Sequence, residues 1–497
     1  MNVASGWVLQ AASVVTNLVA IGYVVRTVGV AHYGAWAGVA AIIGYLQLLD
    51  AGMSVALQHY VARFKAEKDQ GRLRAMFSSA YVVYGLGGIL AFSASWVISV
   101  YFHGIFPKIS PEAAAQCMVS MRWVACGTLI FFLNLPVQGS LLGLQRHYVR
   151  NGIEVLGCLV RFGVIIGMFH FVGASLAYLG FAYFLTCLVR FVLSSVFLRI
   201  VEPVLRFRVS SLSIANFKEL LTYGAHSTIW TVCNVVSRDS GPIIANLTLG
   251  PKSAAYLYLG TQIVKATGSL ILTFGTVFIP VASSLHAMAG TSGLGRALIK
   301  GTRVCSLFGL SLTAMLIVFG RDVLFVWVGS YQPLSYWVLV TCTLGLLGPW
   351  VFTVAQAMLM GTKVLGPITK MMVMRVVLSI GLGVALAYLA GVIGLAVGIR
   401  LPLLLTTLIW IPREACRKAG ISLRELSKKS IFIPTLIAIG IGLIGWSLRS
   451  AWPIRSFWML AVESCIMLVV FGIVGFSLGM DRDTRDLVLK KLRIRSV

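Results

Sequence analysis

Apolar runs of roughly 20 residues, the length a helix needs to cross a bilayer, recur along almost the whole chain, divided by short polar segments. They predict about fourteen spans, near 6–26, 35–58, 76–102, 117–142, 152–172, 174–198, 219–248, 253–282, 304–328, 334–360, 366–389, 391–412, 431–449 and 456–479. The first, GWVLQAASVVTNLVAIGYVV, has no basic segment ahead of it and is long enough to span, so it reads as a first helix and not as a cleavable leader. The polar segments alternate in charge. Nearly every second one is basic, as in RFKAEKDQGRLR (63–74), REACRKAGISLRELSKK (413–429) and RDTRDLVLKKLRIR (482–495). Lys and Arg collect in cytoplasmic loops, so both termini are expected in the cytoplasm.

Short repeats lie in register with this span count. QGSLLG (138–143) returns as QAMLMG (356–361), and GASLA (173–177) as GVIGLA (391–396), both 218 residues later. VGVAHYG (28–34) and LGPKSAAY (249–256) lie about 221 apart. An offset of six spans is even, so the halves keep one orientation, as parallel repeats about the membrane normal do. The fold class expected is an all-α polytopic membrane protein with two pseudo-symmetric six-helix halves and two extra C-terminal helices. The divisions are a first half 1–200, a basic linker 201–218, a second half 219–412, a basic loop 413–430, the extra helices 431–480 and a basic tail 481–497.

Composition narrows the class. The chain is 58% hydrophobic and only 11% charged, with mean hydropathy +0.91, against about 25% charged for soluble proteins. The net charge of +26 follows topology, with attraction to anionic membrane lipids as a second effect. No recognition module accompanies it, so nucleic acid is not expected as a partner. The nine cysteines lack a CxxC pair and the seven histidines lack ligand spacing, so no metal or cofactor is expected. The outer loops are short and no GxxxxGK[ST] occurs, which leaves no room for an ATPase or a catalytic domain. The protein reads as a non-enzyme that acts within the bilayer.

Ionisable groups inside spans cost roughly 3 kcal/mol or more at the centre and usually face a bundle interior or wet cavity. Six are basic: Arg161, Arg190, Arg238, Lys265, Arg375 and Arg400. Acidic ones include Asp50, Glu154, Asp239 and Glu463. Polar residues fall on single helical faces: Gln47, Asp50, Ser54 and Gln58; Glu154, Cys158 and Arg161; Ser227, Thr231, Asn234 and Arg238; Thr261, Lys265, Gly268 and Ser269. Such stripes either glue helices together or line a hydrated cavity. The basic excess makes that cavity electropositive and suited to a phosphate, for which Arg is the usual planar partner.

Arg238 and Asp239 adjoin Gly241 and Pro242 in TVCNVVSRDSGPIIANLTLG (231–250). Neighbours on a helix point about 100° apart, so each is expected to find its partner elsewhere. Pro242 removes a donor from the helix ladder, so an interrupted helix is expected here, and again at Arg400 with Pro402. Arg238 is expected to contact substrate, with Asp239, Asp50 or Glu154 as gate or coupling-ion site.

Residues 24–63, VVRTVGVAHYGAWAGVAAIIGYLQLLDAGMSVALQHYVAR, resemble the opening of the Wzx-like polysaccharide flippases of the multidrug/oligosaccharidyl-lipid/polysaccharide (MOP) exporter superfamily. Arg26, Gly29, Tyr33, Gly34, Asp50, Gly52 and Ala62 carry the likeness; Val28 stands where the family usually has Leu, and His59 near where it often has Arg. The resemblance implies a bundle like those of the superfamily's multidrug exporters (MATE) and peptidoglycan-precursor flippases (MurJ), set in the bacterial inner membrane. It implies alternating-access movement of undecaprenyl-diphosphate-linked sugar units to the periplasmic leaflet for O-antigen, capsule or exopolysaccharide assembly. A polymerase and a chain-length regulator are implied as partners. The rivals are a peptidoglycan-precursor flippase, a cation-coupled drug exporter of the same superfamily and, from another class, a membrane glycosyltransferase or polymerase acting on polyprenyl-linked sugars.

Overall fold

In a computed structural model the chain is almost wholly helical, and the structure describes residues 2–50, 52–361, 365–452 and 457–475. The tail 481–497 and the side chain of Ser227 lie outside the described residues. The chain packs as two units, Met1–Ala255 and Tyr256–Val497. Among the described residues eight helices are long and apolar enough to cross a membrane, or nine if one bent pair counts as a span. The protein is an all-α, multi-pass membrane protein.

The first unit holds α1 (Asn2–Val28), α2 (Val30–Leu46), α3 (Met53–Ala66), α4 (Gln70–Ile105), α5 (Pro111–Gly143), α6 (His147–Phe171), α7 (Ala177–Val201) and α8 (Ile214–Thr248). α5 is the hub, packed on α4 and α7, while α6 lies on α1 and α7, and α8 on α2, α3 and α4. The α2–α8 contact is unusually close because GAWAG (34–38) sets Gly34 and Gly38 one turn apart, the spacing that lets membrane helices touch backbone to backbone. A Cβ at Gly34 would overlap the Pro251 carbonyl, and one at Gly38 would press on Asn246. The Asn246 amide uses that proximity and donates to the carbonyls of Gly34 and Pro242, both at 3.0 Å.

The second unit takes in most of α9 (Pro251–Val328), then α10 (Pro333–Gly345), α11 (Leu347–Val351), α12 (Thr353–Gly361), α13 (Leu365–Leu405), α14 (Ile411–Ala419), α15 (Leu423–Ser430), α16 (Phe432–Ala451) and α17 (Phe457–Val474). Two of these are longer than a bilayer requires, and both turn back on themselves. Within α13 the dihedrals of Ala390 and Gly391 leave the helical region. Across that break Ser379 Oγ donates to the Ile399 carbonyl at 3.1 Å, so the two arms run side by side. In α9 the indole of Trp350 lies on Gly268 and its Cβ on Gly309. A straight helix would hold those glycines about 60 Å apart, so the chain reverses between them. The segment 413–430, expected as a loop, instead forms α14 and α15, held by Arg417–Glu414 and Lys429–Glu425 pairs.

Gly34→Leu is expected to force α2 off the Pro251 carbonyl and lower stability by about 1–3 kcal/mol, the usual cost of overpacking. Gly85→Leu on α4, where a side chain meets open space, should leave stability nearly unchanged. Scanning fluorimetry of the two detergent-purified variants compares them directly.

Candidate functional site

The discontinuous helix lies in the second span, not at Pro242. α2 runs into a 3-10 turn, Gln47–Asp50, and the chain then bends by 43° into α3. Gly52 makes the bend with φ 69°, a left-handed value that costs a residue with a Cβ about 1–2 kcal/mol. Asp50 stabilises the new helix start. Its carboxylate accepts from the Ser54 N–H at 3.2 Å, the Ser54 hydroxyl at 2.8 Å and the buried Tyr84 hydroxyl at 2.8 Å. Side-chain oxygens fill this role at helix starts because the first N–H groups have no partner in the helix itself.

α8 by contrast continues through Gly241 and Pro242 as far as Thr248, which corrects the interruption expected there. Proline removes one donor and no more, and the Asn246 amide supplies a hydrogen bond to the Pro242 carbonyl. The second expectation for this stretch also fails. Arg238 and Asp239 do pair with each other, through Arg238 Nε at 3.0 Å and Nη2 at 2.8 Å from Asp239 Oδ2. The 100° offset fixes only the Cα–Cβ directions, and the arginine stem is long enough to swing back across it. The Asp239 carboxylate sits against the bare Cα of Gly44 on α2, while the Arg238 side chain is 54% exposed. Pro402 lies inside α13, and a π turn, Thr406–Trp410, follows four residues later. Here the ladder does change register.

In α5, α6 and α7 the structure assembles a polar cluster. Glu154 pairs with Arg190 at 3.1 Å, and its other oxygen accepts from Gln138 at 2.7 Å. The pairing depends on Gly157, because a Cβ there would overlap the Arg190 guanidinium. Cys187 senses the charges of Arg190, Arg161 and Glu154 together. Arg161 has no ion-pair partner among the described residues, so this cluster carries one positive charge in excess.

In the second unit Arg400 packs its stem on Gly345 of α10 and likewise has no ion pair among the described residues. Lys265 and Arg375 both have partners, and Arg375 is buried. The six basic residues thus divide: Arg190 and Arg238 are held by carboxylates, Lys265 and Arg375 are engaged, and Arg161 and Arg400 stand without a counter-charge. A further cluster joins α9, α16 and α17. Arg449 binds Asp322 at 2.7 Å, and Glu463 is buried nearby in reach of both charges. No group of His, Cys, Asp and Glu among the described residues has the geometry to hold a metal ion.

Among the described residues of the first unit two cavities stand out, and neither includes the residues singled out from the sequence. One of about 340 Å3 is lined by His32, Lys108 and Lys252 among others. The other, of about 460 Å3, has Tyr81, Ser195, Arg199, Arg206 and Phe207 on its walls. Sequence reasoning missed this second set because Arg199 and Arg206 belong to a basic segment that topology alone explains.

With this geometry in hand, comparison with known proteins is informative. A family profile described as polysaccharide biosynthesis protein matches residues 2–286. EpsK of Bacillus subtilis (strain 168), described as an uncharacterized membrane protein, is 22% identical across 95% of this chain and 93% of its own. Among solved structures, the lipid II flippase MurJ in an inward closed conformation superposes with TM-score 0.75 at 13% identity, over 98% of this chain and 99% of that one. An inward-facing MATE-family multidrug resistance transporter of the MOP superfamily gives 0.73 at 16% identity, over 84% and 96%. A MOP superfamily transporter from Pyrococcus furiosus Vc1, described by a binding pocket of reverse polarity, gives 0.60 at 16% identity, over 82% and 94%.

Two outcomes check the site. Gly157→Ala should expel Arg190 and leave Glu154 uncompensated, lowering stability toward the lower end of about 3–5 kcal/mol; Gly152→Ala, facing open space, is the control in the same thermal melts. Asp50→Ala should cost about 1 kcal/mol through the lost cap, whereas Asp50→Asn keeps an acceptor and most of the stability. A transport defect in Asp50→Asn with an unchanged melt would then report on charge and not on capping.

Proposed function

The chain belongs to the polysaccharide biosynthesis protein family, a family of MOP-superfamily membrane transporters and not of enzymes, and on that premise we propose that it flips polyprenyl-diphosphate-linked oligosaccharides between leaflets without ATP. The observation that carries this reading is the surplus of positive charge inside apolar helices. Arg161 and Arg400 lie in membrane helices with no carboxylate beside them among the described residues, an arrangement that makes sense when the missing anion is the substrate. A diphosphate is the part of a lipid-linked sugar least able to cross hydrocarbon unaided. Arginine forks replace its hydration with charge-assisted hydrogen bonds, and the polyprenyl tail stays in lipid.

In this reading Arg161 in the first unit and Arg400 in the second are each a first contact for phosphate, the former supported by Arg190 and the latter by Lys265 and Arg375. Arg238, exposed but held by Asp239, joins them when a diphosphate competes for its guanidinium, so Asp239 acts as a gate. Energy comes from an ion gradient, the membrane potential or the substrate gradient, with Asp50, Glu154 and Asp239 as the carboxylates open to a coupling ion. Fourteen spans in two parallel halves plus two helices, both termini cytoplasmic in a bacterial inner membrane, complete the proposal. The product feeds O-antigen, capsule or exopolysaccharide assembly, handed to a polymerase and chain-length regulator.

The fold likeness bears on the rivals. The MATE-family transporter covers 84% of this chain. The lipid II flippase matches almost end to end, which favours a lipid substrate over a soluble drug and keeps a peptidoglycan precursor as the second reading.

The test is leaflet exchange in liposomes with a labelled polyprenyl-diphosphate oligosaccharide. Arg161→Ala, Arg238→Ala and Arg400→Ala should each slow exchange at least about tenfold, the loss of one charge-assisted contact, with melts unchanged for Arg161 and Arg400. Exchange of lipid II alone would shift the assignment to the second reading. Cation efflux with no lipid exchange would overturn both.

A further inference from the structure

The cavity of about 460 Å3 in the first unit lies where α4, α5 and α7 meet the connector that follows α7. Its size is that of ordinary ligand pockets. Arg199 from the last turn of α7 and Arg206 from the connector line it, and neither has an ion pair among the described residues. Glu202, the carboxylate between them in sequence, is already bound to Lys65. Ser195, one turn before Arg199, also lines the cavity, and its buried hydroxyl has no hydrogen-bond partner among the described residues. Facing these donors are aromatic rings: Tyr81 stands 5.4 Å from Phe77 and 5.9 Å from Phe207, centroid to centroid.

The cavity is built and not a gap beneath a loose strand. The Arg208 N–H donates to Ser78 Oγ at 3.1 Å and the Ser213 N–H to Ser79 Oγ at 3.4 Å. Arg74 reaches the Val204 carbonyl from α4 at 3.4 Å. Ser78 and Ser79 are fully buried, so the connector is tied down along its length.

We propose that this cavity binds the phosphate-bearing headgroup of a lipid, and that its aromatic wall selects a diphosphate-linked sugar over a phospholipid. The proposal rests on the flippase reading and names a docking site for the same substrate. The arginine forks match phosphate oxygens. Tyr81 and Phe207, tilted 46° to one another, offer aromatic ring faces to the C–H face of a pyranose, which a phospholipid headgroup such as phosphatidylglycerol lacks. The basic segments 63–74 and 199–208 meet at this end of the unit, and positive residues mark the cytoplasmic side. That is the side on which the proposed substrate is loaded.

The experiment reads binding and not transport. Full-length protein in phosphatidylcholine nanodiscs is titrated calorimetrically with farnesyl diphosphate, with farnesyl-diphosphate-linked glucose and with phosphatidylglycerol. Arg199→Gln and Arg206→Gln should each weaken both diphosphates about tenfold, the worth of one charge-assisted contact. Tyr81→Ala should weaken the sugar-bearing probe alone. Unchanged affinity in both arginine variants overturns the site. Phosphatidylglycerol competing as well as the diphosphates, with Tyr81→Ala silent, overturns the glycan assignment in favour of a general anionic-lipid site. Leaflet exchange in matched liposomes separates the two proposals: exchange retained with binding lost removes this site alone, whereas binding retained without exchange by the intact protein removes the flippase reading alone.

Discussion

A charge buried among apolar helices must find its counter-charge or its hydrogen bonds within reach of its own helix, because neither lipid nor hydrocarbon side chains supply any. That constraint organises the first unit. Glu154 satisfies one oxygen with Arg190 and the other with Gln138. Asp50 satisfies both with Ser54 and Tyr84, and Asp239 is held by Arg238. Every acidic group expected to work as gate or coupling site is therefore also a structural keystone. Truncating any of them therefore removes a structural contact as well as a charge, and an isosteric amide separates the two. Against this background of satisfied acids, Arg161 and Arg400 are conspicuous.

The same constraint explains where glycine appears. Arg190 lies against Gly157, the Asp239 carboxylate against Gly44 and the Arg400 stem against Gly345, each on a neighbouring helix. In every case a single Cβ would occupy the volume that the charged side chain fills. A charge brought onto the backbone of an adjacent helix sits closer to peptide dipoles and farther from lipid, which lowers its desolvation penalty. Arg400 is the informative member of the three. It has the same glycine seat as the paired residues but no carboxylate beside it among the described residues, which is the feature the flippase proposal draws on.

Hydropathy made the all-α membrane class legible, since length and apolarity alone decide what can cross a bilayer, but of the fourteen spans expected eight or nine qualify among the described residues. It even placed the turn between two spans at 389–391, where the structure breaks at Ala390 and Gly391. Local chemistry was harder. Pro242 looked like a breaker because proline lacks a donor, but the helix absorbs one missing bond, and the tight α2–α8 contact leaves it little room to bend. The actual bend at Gly52 carried a weaker signal, a lone Asp-Ala-Gly in an apolar run, and its meaning depends on Tyr84, 34 residues away. The Arg238–Asp239 pair was misread because helical angles describe where side chains begin and not where long ones end. Pairings such as Glu154 with Arg190 join separate helices, and no periodicity within one helix reveals them. The role suggested for Arg199 and Arg206 was hidden for another reason: basic residues at a span end satisfy the topology rule, so their numbers alone do not distinguish a loop from a pocket.

The surplus charge also bears on direction. A cavity whose every cation is permanently neutralised has nothing to offer an anion, whereas one with strong unpaired cations holds its anion and does not release it. The proposed carrier lies between these limits. Arg238 already has a carboxylate, so a phosphate that recruits it must displace Asp239, and Asp239 stands ready to reclaim the guanidinium when the phosphate departs. Such partner exchange makes binding weaker than the sum of its contacts but release correspondingly easier, which is what a carrier requires and a receptor does not. On the flippase proposal, Arg161 and Arg400 supply attraction and Arg238 supplies reversibility. It follows that Asp239→Asn, which removes the competitor but leaves Arg238 intact, acts on the release of a bound diphosphate more than on its capture.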